Sequence, residues 1–183
     1  MAAEPWIFAS ANPHKLAEVQ AICPVRPLPL GLPSAPETHD SLHANALAKA
    51  AFYVSFVQQP VVAEDSGLFV PALGGKPGVH SARYGGPVPL LIAMQGISHR
   101  QAYFAAVVVA YRSPAEYTFF TGYLAGTIAT EMRGSQGFGY DPIFIPQGET
   151  QTLAELGADW KNLHSHRAQA FKAFRLWLEK HLT

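Results

Sequence analysis

Residues 102–129 read AYFAAVVVAY-RSPAE-YTFFTGYLAGTIA. The runs Ala102 to Tyr111 and Tyr117 to Ala129 are dense in β-branched and aromatic residues, and the turn signal Ser113-Pro114 parts them. Branched and flat side chains pack well on a pleated surface, so such runs favour extended backbone. The segment predicts two long antiparallel strands, and therefore a sizeable sheet. On its C-terminal side, Gly134 to Pro142 reads as a glycine-rich loop, Ile143 to Ile145 as a short strand, and Thr152 as the start of a short helix. The chain closes on a helix from about Ser165 to His181, with Ala170, Phe171, Phe174, Trp177 and Leu178 at helical spacing.

On the N-terminal side, the apolar strand Trp6 to Ala9 leads through Ser10-Ala11-Asn12 into a helix that runs to about Ile22. Asn12 suits the N-cap, and Pro13 suits the first helical position, where its missing N–H costs nothing. Five prolines from Pro24 to Pro36 impose an extended or irregular connection. Asp40 or Ser41 caps a second helix to about Gln58. Val61-Val62-Ala63 reads as a short buried strand with Glu64-Asp65-Ser66-Gly67 at its end, and Leu68 to Leu73 as a strand returning from it. A short helix is predicted over Val88 to Gln95. Helices and strands mix without strict alternation, which means α+β or mixed α/β.

At 183 residues the chain is about one domain, spanning 1–183, and buries roughly 70% of its extended-chain surface without needing disulfides. The single cysteine, Cys23, fits a reducing, cytoplasmic compartment. No secretory segment precedes Trp6 and no apolar run reaches ~18 residues, so neither export nor membrane spanning is expected. Lys plus Arg number 13 and Asp plus Glu number 13, so there is no basic excess to displace counterions from a nucleic acid. Phosphate binding, if present, must be local.

Four segments carry groups fit for chemistry. The helix opening at Asn12 offers unpaired N–H groups to an anion, with Lys15 in its first turn. A lysine there opposes the helix dipole, which an intervening anion would relieve; a solvated surface lysine is the simpler reading. Glu64 and Asp65 are adjacent carboxylates that a strand would point to opposite sides. Carboxylates suit a hard cation such as Mg2+, and Glu37, Asp40 and Asp141 are the other loop acids that could converge with them. In Gly137-Phe138-Gly139-Tyr140-Asp141-Pro142, glycines admit close approach, Phe138 offers a flat face and Asp141 accepts hydrogen bonds. Lys161-Asn162 and Ser165-His166-Arg167 supply donors. His39 and His43 lie four apart, but Asp40 follows His39 where a zinc metalloprotease requires Glu, and no Gly-x-Ser-x-Gly marks a serine hydrolase.

Together and in this order, Ser10-x-Asn12-x-x-Lys15, Glu64-Asp65-Ser66-Gly67, Leu73-Gly74-Gly75-x-Pro77-Gly78-x-x-Ser81-Ala82-Arg83-Tyr84, Gly137-Phe138-Gly139-Tyr140-Asp141-Pro142 and Ser165-His166-Arg167 resemble the inosine triphosphate pyrophosphatase family. The similarity is to its bacterial branch, the dITP/XTP pyrophosphatases, and covers Ile7 to about Phe171. It implies a long twisted mixed sheet flanked by helices, in two lobes with the active site in the cleft between them, and a homodimer. It further implies hydrolysis of non-canonical purine nucleoside triphosphates (ITP, dITP, XTP) to the monophosphate and pyrophosphate.

By the same resemblance, Asn12, Lys15 and Lys49 hold phosphates, with Ser10 in the same substrate-binding loop. Asp65 is the general base and shares Mg2+ with Glu37, while Ser66 lies beside the substrate. Phe138 stacks on the base within a loop that includes Gly139 and Tyr140, and Asp141, Lys161, His166 and Arg167 read the base's edges. Two departures from the family pattern stand out. Ala44 precedes Asn45-Ala46 where the family usually has Glu, and residues 86–101 are short, which bears on metal affinity and on a lid or dimer contact.

Overall fold

The computed structural model describes residues 6–181; residues 1–5, where no export signal was expected, and 182–183 lie outside the described part. Its longest strands, β5 (Gln101–Ser113) and β6 (Glu116–Ile128), pair antiparallel from Ala102 opposite Gly126 to Tyr111 opposite Tyr117, as their composition predicts. In chain order the other elements are β1 (Ile7–Phe8), α1 (Pro13–Gln20), β2 (Arg26–Pro27), α2 (Leu42–Val57), β3 (Val61–Phe69), β4 (Pro77–Gly78), α3 (Pro87–Ala93), β7 (Phe144–Pro146), α4 (Leu153–His164) and α5 (His166–His181). The strands form one mixed sheet in the order β2-β1-β3-β5-β6-β7, with β4 paired to β3. β1 runs parallel to β2 and β3, and the remaining pairs are antiparallel. No helix among the described residues is long and apolar enough to cross a membrane.

One expectation fails in an informative way. Glu64 to Gly67 do not end a short strand; they lie inside the nine-residue β3, paired to β5 along its whole length from Val61 opposite Tyr111 to Phe69 opposite Tyr103. Two carboxylates, a serine and a glycine have low strand propensity. Tertiary partners outweigh that propensity by supplying a complete hydrogen-bond ladder and cations for the acids. The predicted return strand is replaced by the end of β3 and a single 3₁₀ turn, Pro71–Leu73. In the proline-rich connection, Arg26 and Pro27 add a two-residue strand at the sheet edge, where proline is tolerated.

The alternation along β3 divides the core. Val62 joins Phe8, Val19, Val108, Phe171 and Phe174 beneath α1 and α5. Val61 and Ala63 join Ala46, Ala50, Val107 and Val109 beneath α2. A third cluster, Leu68, Leu90, Met94, Phe104, Ile143 and Phe144, packs α3 and the C-terminal loop against the sheet. Cys23 is buried in the first cluster; burial pushes its thiol up to about 12, with only Arg175 opposing. The thiolate is the nucleophile, so Cys23 in the native protein is expected to resist a thiol reagent at pH 8 and to react once unfolded. Rapid native labelling would contradict this packing.

α5 lies directly on β6. A Cβ on Gly122 would stand 2.0 Å from the His166 carbonyl oxygen and 2.9 Å from the Ala170 nitrogen, both backbone atoms that cannot rotate away. Gly122→Ala is therefore expected to cost at least ~1–3 kcal/mol by forcing helix and sheet apart. Urea denaturation checks it; an unchanged midpoint would mean that α5 does not sit this close.

Candidate active site

The loop between β1 and α1 is built by Asn12. Its Oδ1 accepts the backbone N–H of His14 at 2.9 Å and of Lys15 at 3.2 Å, and Pro13 opens the helix, as predicted. Ser10 stays within this loop, its Oγ accepting from the Asn12 N–H at 3.2 Å. Lys15 meets an internal anion: its Nζ lies 2.8 Å from the fully buried Glu64.

Glu64 faces the α5 side of β3. It pairs there with Lys15 and, at 3.0 Å, with Arg167 of α5, which also donates to Ser66 Oγ at 3.2 Å. Burial alone would raise the Glu64 carboxyl, but Arg167 and Lys15 together hold it well below the usual carboxylate range. Glu18, one turn into α1, accepts from Arg167 and, at 2.5 Å, from Lys161 of α4. Lys161 also donates to Asp141 Oδ2 at 2.6 Å. Lys15, Glu64, Arg167, Glu18, Lys161 and Asp141 thus form one chain of charges linking α1, β3, α4, α5 and the C-terminal loop. Glu18 was not singled out from sequence. The signal was its spacing, three residues after Lys15, which brings it back to the same face of α1.

Asp65 points the other way, as alternation requires. Lys49 of α2, whose charge acts on Asp65, donates to the Glu64 carbonyl at 3.2 Å and pairs with Glu37 at 2.6 Å. Burial pushes Lys49 down, but Asp65 and Glu37 outweigh it and hold the ammonium charged. Burial likewise pushes Glu37 up, and Lys49, backed by Lys15 and Arg83, brings it below the ordinary value. For Asp65, burial wins over Lys49 and Lys15, with Glu64 and Glu37 adding to it, so this carboxyl is raised. Its Oδ2 is buried without a hydrogen-bond partner. Asn45, buried in α2, exchanges two hydrogen bonds with the His39 backbone and so fixes the loop that carries Glu37. At position 44 the backbone N–H caps α2 on Ser41 Oγ, and the alanine side chain adds no charge. Among the described residues, no group of three or more His, Cys, Asp and Glu side chains could hold a metal.

The loop 137–141 is closed by Asp141, whose Oδ2 accepts the Phe138 N–H at 2.9 Å. Gly137 has φ 78°, and a Cβ there would meet Asp141 Oδ2 at 2.1 Å, so only glycine fits. Burial raises the Asp141 carboxyl against the pull of Lys161. Tyr140 donates to the Ser81 carbonyl at 2.8 Å, tying this loop to the segment after β4. His166 stacks flat on Phe104 with ring centroids 4.7 Å apart; burial, reinforced by Arg167, keeps it neutral, and its Nδ1 has no partner.

These pieces enclose a cavity of about 290 Å3. Asn12, Lys15, Ser66, Phe138, Gly139, Tyr140, Asp141, Lys161, His166 and Arg167 line it. Glu37, Lys49 and Asp65 form a separate cluster across β3, which Lys15 adjoins electrostatically. A wider groove of about 480 Å3, around Tyr103 and Gly126, lacks any such gathering of charges.

Known proteins resemble this chain in sequence and in fold. The model of the Ham1 family matches residues 6–177. The chain is 44% identical to a dITP/XTP pyrophosphatase of Porphyromonas gingivalis over 96% of its own length and 97% of the relative's. It is 40% identical to one of Bdellovibrio bacteriovorus, covering 93% and 95%. Among solved structures, a HAM1 protein from Coxiella burnetii superposes with a TM-score of 0.87 at 34% identity, covering 96% of this chain and 98% of that one. The Ham1 protein of Staphylococcus aureus gives 0.84 at 31%, covering 97% and 99%.

Proposed function

This chain belongs to the Ham1 family, and we propose from that premise that it is a nucleotide pyrophosphatase that cleaves ITP, dITP and XTP to the monophosphate and pyrophosphate. The observation that carries the choice of base is the set of polar atoms left over in the cavity walls. An ammonium has three donors, and Glu18 and Asp141 take two of those on Lys161. Arg167 Nε and His166 Nδ1 are buried without partners; the first always donates, and the second donates in the Nδ1–H tautomer of the neutral ring. Hypoxanthine and xanthine carry a carbonyl at ring position 6, which such donors satisfy; adenine carries an amino group, which they do not. Each donor left unpaired costs ~1–3 kcal/mol. Two of them give ~10²–10⁴-fold rejection of ATP at ~1.4 kcal/mol per tenfold. Guanine shares the 6-carbonyl, so GTP must be refused through its 2-amino group by pocket shape near Phe138 and Asp141.

Asn12 and Lys15, with Ser10 and Lys49, take the phosphates, and Phe138 stacks on the base. Glu37 and Asp65 are the residues to hold Mg2+: both are carboxylates, and Asp65 has an oxygen to spare. Two carboxylates suit this ion, which completes its shell from water and phosphates. Bound there, it would supply positive charge to the phosphates and the leaving pyrophosphate. Asp65, its carboxyl raised, takes the proton from the water that attacks the α-phosphorus. Dimerisation and a cytoplasmic setting complete the reading.

The test is pyrophosphate release from a panel of nucleotides with and without Mg2+. ITP should give IMP and pyrophosphate, chelation should abolish the reaction, and ATP should be the poorer substrate by the factor above. IDP and orthophosphate as first products would overturn the site of attack.

A further inference from the structure

Phe138 does not present a bare ring. His14 stacks on it with centroids 5.1 Å apart and planes 16° apart, and Lys161 Nζ stands over the same ring, 4.6 Å from its centroid. Arg167 Cζ lies 5.8 Å from that centroid, and these neighbours differ in how firmly they are held. Lys161 is buried and fixed by Glu18 and Asp141. His14 is exposed at the second position of α1, and among the described residues its ring has no partner except Phe138. Asn12 and Lys15 on either side of it line the cavity, whereas His14 does not. With His14 in place the cavity holds about 290 Å3, at the small end for a ligand as large as a nucleotide. Of the groups packed on the Phe138 ring, His14 is the exposed one and stands outside the chain of paired charges.

We propose that His14 is a removable cap on the base site: its imidazole occupies the stacking face of Phe138 in the empty protein and is displaced by the purine. The cap keeps an aromatic face out of water between turnovers, and every incoming base must first break its stack. This rests on Phe138 being the base-stacking residue. Removing the cap abolishes that competition and should tighten base binding by the worth of one ring stack, about 2- to 10-fold in Kd. A larger ring should loosen it.

The probe is IMP, titrated calorimetrically without metal into the wild type, His14→Ala and His14→Trp. Tighter binding to His14→Ala and weaker binding to His14→Trp are expected, together with a lower KM for ITP at unchanged kcat in the alanine variant. Weaker or unchanged IMP binding by His14→Ala overturns the proposal, since a residue that braces Phe138 or touches the base would be missed on removal. Phe138→Ala separates the two readings. If it binds IMP as well as the wild type, Phe138 does not stack on the base and both fall. If it binds IMP weakly while His14→Ala gains nothing, only the role of His14 falls.

Discussion

Asp65→Asn is expected to fold normally and to lose at least ~10²-fold in kcat. The amide keeps the shape of the carboxylate but cannot take a proton and brings no charge to Mg2+. The neighbouring acids are poor replacements. Glu64 is held well below the usual range by Arg167 and Lys15, so its affinity for a proton is low. Asp141 Oδ2 is already engaged by Lys161 and the Phe138 N–H. Asp65 alone among the three combines a raised carboxyl with an oxygen that has no hydrogen-bond partner and no cation on it. Because Phe138 and the donor cluster lie elsewhere, IMP should bind to the variant as to the wild type. Near-normal turnover of ITP would remove Asp65 from the role of base.

Arg167→Ala is expected to destabilise the protein by ~3–5 kcal/mol, the usual cost of removing one partner from a buried ion pair. Of its cations, fully buried Glu64 would keep only Lys15, and Glu18 would keep only Lys161. For a chain of this size that loss corresponds to a fall in Tm of ~6–20 °C. The variant also loses the Nε donor, so kcat/KM should fall further for ITP than for ATP. Arg167→Lys separates the two effects. It returns a charge to Glu64 and should recover much of the stability, but it lacks the Nε donor, so the ratio of ITP to ATP should remain narrowed. If ITP, XTP, GTP and ATP all slow equally in the lysine variant, Arg167 serves the fold and not the choice of base.

The roles of Glu18 and Asn45 could not be reached by motif reading alone. Each acts by holding other residues: Glu18 aligns Lys161 and Arg167, and Asn45 fixes the Glu37 loop through the His39 backbone. A residue type announces that it can donate or accept, but not which distant group will be brought to it. Tyr140 is a similar case, a cavity residue whose hydroxyl is already committed to the Ser81 carbonyl.

By itself the sequence determined what depends on neighbours along the chain. The long hairpin followed from two β-branched and aromatic runs around Ser113-Pro114, the opening of α1 from Asn12-Pro13, and the last helix from apolar spacing. It also determined that Glu64 and Asp65, being adjacent on a strand, would face opposite sides. Only the tertiary structure decided what lies on those sides. α5 brings Arg167 to Glu64 across 103 positions of sequence, and α2 brings Lys49 to the cluster that includes Asp65. That meeting turns an apparent strand end into the middle of β3. Acids inside a sheet are costly unless cations and a full backbone ladder meet them, and both come from elements remote in sequence.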